Sequence, residues 1–566
     1  MTAHRKLREN AEKLYLAQEW NEALSLYQWL YVQEPCNANT CAVLGEIHAC
    51  LGHTTDGIEF FQKAIDLLTA EQKETDQTYL GTVYFLQGLC FINMGKRRQA
   101  VHVLTEAAKY KENWAEPYLK LGNVYFESGE HQLSLETFQK AAEITPEDGS
   151  VWLTIAYINH LLNRPEVAET AARKVLALDP NSEQATYFLA ESLRKTGKTA
   201  EAVPYFELVI RANQSNIQAL YGYGQALLAC GELSKGWPAY EARRLCESGT
   251  WNRHYLPDWN GEEDPWHTVL IYGEGGISRE ILYASCLADM TECVGHCYVE
   301  CDRALHSLFA RSFPNVTLVN PTDSAFVSDE YPGMYFDSQV AFGSMPRFFR
   351  SDLQHFPVSR RSYLVPDKAK VQNWKRRFSE KDGQLKIGVL FEGAWGDEPA
   401  EQCRIPLDVI ARIVHALPAD STHWISLQHG NQKETWQTFR KNLATPISHF
   451  QEAFAYNLDE LAALIASLDY VIAPSGVQAH LAAALGVPCW VVLPHCCDWH
   501  WHLARDYSPW YPSVRLFRQS AGETWEQTTQ TLISELHLLL DHAEGPIIFP
   551  FPQPSKVPSK TIFRAG

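Results

Sequence analysis

The chain has 566 residues, 46% of them hydrophobic and 12% aromatic, enough for two to four domains with large packed cores. Its formal net charge of -18 argues against a nucleic-acid backbone as partner and against anchoring on an anionic membrane. Met1 to Asn10 lacks the apolar core of an export signal, no apolar run reaches membrane-spanning length, and 14 cysteines in so long a chain are no disulfide framework, so a cytoplasmic protein is expected.

The first half is periodic. Gly95, Gly129, Asn163, Gly197 and Gly231 stand 34 residues apart, as do Gln18 and Gly52. An insertion around Thr69 to Gln77 separates the two series. Seven residues before each marker is a small residue: Ala11, Gly45, Gly88, Gly122, Ala156, Ala190 and Gly224. Five residues after is another: Ala23, Gly57, Ala100, Ser134, Ala168, Ala202 and Gly236. Two antiparallel helices come close only where side chains are small. A 34-residue period with these columns is the tetratricopeptide pattern, so an α-solenoid of seven repeats is expected over 1–249. Its concave groove would take a peptide or protein partner, or else the array is a spacer or dimerisation surface. Gly236 to Arg244 and Leu256 to Gly261 form the join between the repeats and the second half of the chain.

That second half alternates strands and helices. Thr268–Tyr272 reads as a strand, Gly273 to Glu280 as a glycine-rich loop, and Ile281–Met290 as a helix. Such a loop lets backbone approach a ligand closely. His296–Cys301 is a further strand. Cys293, Cys297 and Cys301 fall along it too far apart to share a metal, and no CxxC pair supports one. A helix follows from Asp302 to Phe313, and Gly343–Arg350 carries two arginines, Arg347 and Arg350.

Lys386–Glu392 opens a second unit, followed by Gly393 and Trp395 and a helix after Arg404. His423–Gln428 is its next strand. Leu461–Leu468 has helical spacing, Tyr470–Ala473 is a short apolar strand, and Pro474 to His480 breaks it before a helix ending at Gly486. Val487–Leu493 is the next buried strand. Ligands sit at the carboxyl ends of such parallel strands, and a helix N-terminus there offers N–H groups to phosphate. Ser475, Gly476 and His480 surround that point; an ordinary βαβ unit without a ligand reads the same way. His495–His502 is rich in histidine, read as an aromatic and polar lid rather than a metal site. Glu523–His542 reads as a helix crossing back towards the first unit, and the proline-rich tail 546–566 as extended.

The segments Asp469–Ile472, His480–Trp490, Asp498–Trp501 and Ser508–Gln519, with the repeats before them, resemble bacterial proteins that join tetratricopeptide repeats to a heptosyltransferase-type domain of glycosyltransferase family nine. The resemblance implies a GT-B fold: two facing Rossmann-like domains, 250–375 on the acceptor side and 376–545 on the nucleotide-sugar side. It implies transfer of a sugar from a nucleotide sugar, without metal or other cofactor, to a protein recruited by the repeats. Gly275, Gly276 and Arg279 fall on the family's acceptor loop, where relatives carry an aspartate base at the position of Arg279. Arginine cannot accept a proton, so Glu280 and Glu274 are the substitute carboxylates. Arg404, Gln428, Ser475, Gly476 and His480 fall on the nucleotide-sugar side, Ser475 replacing another aspartate. Two lost acidic positions also fit an alternative, a catalytically inert scaffold or sensor.

Overall fold

A computed structural model describes residues 2–71, 77–111, 113–246, 256–320, 333–357, 361–381, 383–393, 403–429, 433–454, 458–503 and 505–541. Trp395, the end of the repeats at Gly249, the tail 546–566 and part of the insertion at 69–77 lie outside them. The chain forms two compact units, Met1–Ser192 and Leu193–Gly566.

Unit one is all helix. Its successive pairs are α1 Thr2–Leu16 and α2 Trp20–Gln33, α3 Ala38–Cys50 and α4 Thr54–Glu71, α5 Gln77–Asn93 and α6 Arg97–Tyr110, α7 Ala115–Glu127 and α8 His131–Ile144, α9 Gly149–Leu161 and α10 Pro165–Leu178. Each helix packs on the next. The 34-residue markers are the turn residues within each pair. Gly52, Gly95 and Gly129 are left-handed there (φ +83°, +67°, +76°), and Gln18 and Asn163 adopt the same conformation (φ +60°, +52°). The small columns are the helix crossings. A Cβ on Gly45 would stand 2.7 Å from the Phe61 ring, and one on Gly122 2.7 Å from Phe138. Ala11, Ala23, Ala100 and Ala156 are fully buried at the matching places. Small residues therefore set the helix spacing, and the larger ones beside them, such as Leu44 and Ile47, each add about 1.5–3 kcal/mol of burial.

Unit two opens with helices α12 Thr199–Ala212, α13 Ile217–Cys230 and α14 Leu233–Tyr240, α11 being Glu183–Lys195. The last pair is built into the α/β part. The Trp237 indole donates to the Arg350 carbonyl at 2.8 Å and packs edge-on to Trp499 at 5.4 Å. Leu503 N–H donates to the Ala229 carbonyl at 3.0 Å.

Two all-parallel sheets follow. The first comprises β1 Asp264–Tyr272, β2 Val294–Glu300, β3 Val316–Val319 and β4 Ser338–Ala341, in the order β3-β2-β1-β4. The second comprises β5 Leu385–Val389, β6 Thr422–Ser426, β7 Ile447–His449, β8 Tyr470–Ala473, β9 Cys489–Leu493 and β10 Val514–Arg518, in the order β10-β9-β8-β5-β6-β7. Both carry the reversal of strand order typical of doubly wound sheets, between β1 and β4 and between β5 and β8. Residues along β9 alternate between two cores: Trp490 and Val492 face one, Cys489, Val491 and Leu493 the other. Both faces of the second sheet are therefore covered, as a parallel sheet requires.

Two expectations are corrected. The helix expected over Ile281–Met290 is two, α15 Gly276–Ala284 and α16 Leu287–Cys293, broken at Ser285 and Cys286. The helix near Glu523, observed at Glu526–Asp541, does not cross back. Its Leu532, Leu536 and Leu539 pack with Ile410 and Ile413 on the second sheet, and Glu526 pairs with Arg412 at 2.6 Å, so its apolar face is spent there.

Candidate functional sites

In unit one the first helices of three repeats share one hollow. Arg8, Glu12 and Tyr15 of α1, Asn39 and Glu46 of α3, and Tyr79 of α5 line a cavity of about 390 Å³. The Tyr15 hydroxyl donates to Glu46 at 2.6 Å, and the Tyr79 hydroxyl to Asn39 at 2.8 Å. Burial first, then Glu46, holds the Tyr15 phenol above its usual range, so it remains a donor. Charged, amide and phenolic groups converge on a concave wall, which suits an extended peptide backbone.

In unit two the glycine loop after β1 and the Ser475 loop after β8 stand at the points where strand order reverses, whereas Gln428 follows β6 and Arg404 precedes a helix at Leu407. The loop after β1 holds Gly273 to Gly276; the loop after β8 holds Pro474 to Gly476, and Gly393 follows β5. The helices that follow the first two loops, α15 and Val477–Ala484, pack on each other. Every residue of Val477–Ala484 is buried, and Ser475 is 1% exposed. A Cβ on Gly393 would meet the Ser475 carbonyl at 2.2 Å, so these two loops touch through backbone.

Each named side chain has a local partner. Glu274 binds the Arg243 guanidinium through both oxygens, at 2.7 and 3.3 Å, and accepts from Gly343 N–H. Arg243 itself also reaches Glu241 and the Ser344 hydroxyl, at 2.7 and 2.8 Å. Glu280 is buried and accepts from Asp302 N–H at 2.8 Å, tying α15 to the loop after β2. Both carboxylates expected to assist an acceptor are thus buried and hydrogen-bonded within the fold. Gly275 and Gly276 are left-handed (φ +69° and +70°), turning the chain into α15. Gln428 accepts from Phe391 and Glu392 N–H, both at 3.1 Å, and donates to the Glu392 and His429 carbonyls, so its amide pins the loop after β5. Arg404 is half-exposed and paired with Glu392. The Ser475 hydroxyl accepts from the Trp501 indole at 2.9 Å. Gly476 has φ +146°, which an L side chain rarely adopts. Arg350 is 2% exposed and bonded to Asp289 at 2.7 Å and the Ser285 carbonyl at 3.0 Å.

The structure gathers a cluster that the sequence shows only as a lid. Arg279 forms an ion pair with Asp498, contacts His500 Nδ1 at 3.0 Å, and lies over the Trp499 ring. His480 is fully buried, hydrogen-bonded to the Tyr511 hydroxyl at 2.8 Å, stacked on Trp501 and 5.0 Å from the His500 ring. Burial first, then His500 and Arg279, holds His480 well below its ordinary range, so it is neutral at pH 7. Burial alone would raise the Asp498 carboxyl, but Arg279 and His500 outweigh it and hold it below the usual range. One signal was present in the sequence: an arginine in a tight glycine loop needs a carboxylate, and Asp498 lies in the aromatic segment that carries the resemblance.

Known proteins match this chain chiefly through its repeats. A tetratricopeptide repeat model matches residues 115–148, and the model of anaphase-promoting complex, cyclosome, subunit 3 matches 162–242. Protein FlbA of Caulobacter vibrioides is 26% identical over 413 residues, covering 70% of this chain and 68% of FlbA. That length exceeds the repeats, so the likeness reaches the α/β part. DnaJ homolog subfamily C member 3 of Gallus gallus is 23% identical over 159 residues, 25% of this chain and 32% of that protein. Among solved structures, YrrB, described as "a TPR protein with an unusual peptide-binding site", is 15% identical, covers 34% of this chain and 96% of its own, and has a TM-score of 0.30. MamA is 22% identical, covers 30% and 94%, and has a TM-score of 0.27. None of these relatives carries a glycosyltransferase name. The chain is a tetratricopeptide-repeat protein, and such repeats are protein-interaction modules. No helix among the described residues is long and apolar enough to cross a membrane.

Proposed function

We propose that this chain holds a protein partner on its repeats and that its α/β part is a glycosyltransferase-like module, of the GT-B kind, without a free acceptor-activating base. One observation carries the reading. Glu274 and Glu280, the carboxylates nearest the inherited base position, are both buried and both engaged. A general base must reach the proton it removes, and freeing Glu274 would break its two-oxygen pairing with the buried Arg243. The repeat hollow supports the binding half of the reading with polar groups on a concave wall. The test places a photo-crosslinking residue at Tyr79, inside the hollow, and at Leu133, exposed elsewhere on the repeats. A defined product from position 79 alone, competed away by excess partner, is expected. Equal labelling from both positions sinks the assignment.

A second reading, sugar transfer from a nucleotide sugar, rests on the cluster of His480, Asp498 and His500. His500 Nδ1 lies 3.7 Å from an Asp498 oxygen, and an imidazole next to a carboxylate is the make-up of a proton-relay pair. A panel of UDP-, GDP-, dTDP-, CMP- and ADP-sugars with the full chain decides between the two. Turnover of one donor, lost in Asp498→Asn and His480→Ala, would establish transfer. No turnover of any donor keeps the binding reading.

A further inference from the structure

The turn of the second repeat joins three side chains that neither reading uses. His48 lies in the last turn of α3, His53 in the connecting turn, and Asp56 in the first turn of α4. One ligand atom from each lies within 4.8 Å of the other two. Atoms so spaced share a point no more than about 2.8 Å from each, against 2.0–2.2 Å for zinc bonds to nitrogen and oxygen. His53 and Asp56 are exposed, so less than an ångström of side-chain motion closes the set.

The buried member supplies an independent sign. His48 is 7% exposed, and its Nδ1 has no hydrogen-bond partner among the described residues. That nitrogen faces Asp56 Oδ2 at 3.8 Å, too long for a hydrogen bond. A nitrogen and an oxygen on one four-coordinate ion stand apart by about 3.4 Å, close to this gap. The ring cannot easily turn away, because it stacks on Phe60 at 5.4 Å with the planes 12° apart. Backbone bonds hold the turn: His53 N–H donates to the His48 carbonyl at 2.8 Å, and Gly57 N–H to the His53 carbonyl at 3.0 Å.

We infer that His48, His53 and Asp56 form a site for a divalent transition ion of the zinc class, open to water or to a partner's side chain at the fourth position. Two imidazoles and one carboxylate select such an ion over magnesium or calcium, which prefer all-oxygen shells. The ion would clasp α3 to α4 beside the turn residue Gly52.

The test uses the full chain, stripped of metal and then titrated with Zn²⁺ and with Co²⁺, beside His53→Ala and Asp56→Asn. Both altered residues are exposed, so both variants should fold. The wild-type chain should bind one equivalent more tightly than either variant by at least tenfold. Its Co²⁺ form should show four-coordinate visible absorption that the variants lack, and Zn²⁺ should raise its Tm but not theirs. Equal affinity and stoichiometry in all three proteins would overturn the site, as would no binding by the wild type.

Discussion

Glycine serves opposite purposes in the two kinds of turn in this molecule. In the repeat turns it is chosen for φ. A Cβ on Gly52, Gly95, Gly129 or Gly231 would meet nothing within 4 Å, and Gln18 and Asn163 hold the same conformation; Gly197 is the exception, where a Cβ would stand 2.4 Å from the His495 ring. At Gly393 and Gly343 in the α/β part it is chosen for space. A Cβ on Gly393 would lie 2.2 Å from the Ser475 carbonyl, and one on Gly343 2.0 Å from a Glu274 oxygen. The first kind is a matter of backbone preference and tolerates residues that reach the left-handed region. The second is a collision with backbone or with a fixed ion pair. The turns at Gly52, Gly95, Gly129 and Gly231 leave open space at the glycine, whereas the loop at Gly393 lies against another loop.

Substitutions put this contrast to the test. The largest effect belongs to Arg243→Ala, which leaves Glu274 buried without its partner. We expect a loss of about 3–5 kcal/mol, read from urea unfolding followed by tryptophan fluorescence. A loss under about 1 kcal/mol would mean that the ion pair is not held as described. Gly393→Ala comes next, with about 2–4 kcal/mol for a contact that backbone cannot yield. Were it as mild as a repeat-turn substitution, the close approach of the two loops would be refuted.

The Arg279–Asp498 pair is smaller and depends on pH. The folded Asp498 carboxyl lies below its unfolded value near 3.9, so its contribution is complete above that pH and is lost as pH falls towards the folded value. Asp498→Asn should cost about 1–3 kcal/mol at pH 7 and show a shallower acid limb below about pH 4. Parallel acid limbs in the two proteins would count against the pair. His480, held neutral by burial, adds a second acid-side loss that begins at a higher pH than that of Asp498. Its stability is full above about 6.5, the unfolded value, and declines below it, more steeply in the wild type than in His480→Gln.

The smallest effect is expected at the repeat turn. Gly129→Asn should change stability by no more than about 0.5 kcal/mol, because asparagine tolerates the left-handed region, and Gly129→Val by about 1–2 kcal/mol. Calorimetry of the two variants checks the order.

The repeats were legible because each position answers to local rules. The 34-residue marker is a turn, the flanking small residues are helix crossings, and both recur along the array. The strand set was legible too, since Tyr470–Ala473 and its neighbours are short apolar runs between breakers. Element ends were less so: the helix after the glycine loop begins at Gly276 rather than Ile281, because left-handed Gly275 and Gly276 turn directly into it.

The sites divide in the same way. Sequence alone placed Gly275, Gly276, Arg279, Ser475, Gly476 and His480 at strand ends, because the βαβ pattern fixes where loops fall. It did not show that Arg243 would take Glu274 across 31 residues, that Asp498 would meet Arg279 across 219, or that Gln428 would spend its amide on the next loop. A carboxylate's partner is set by which loops the fold brings together, and residues distant in the chain leave no spacing to read. Sequence determined the elements, through periodicity and turn chemistry; tertiary structure decided which charges are occupied, because a buried charge is costly unless the fold brings it a partner.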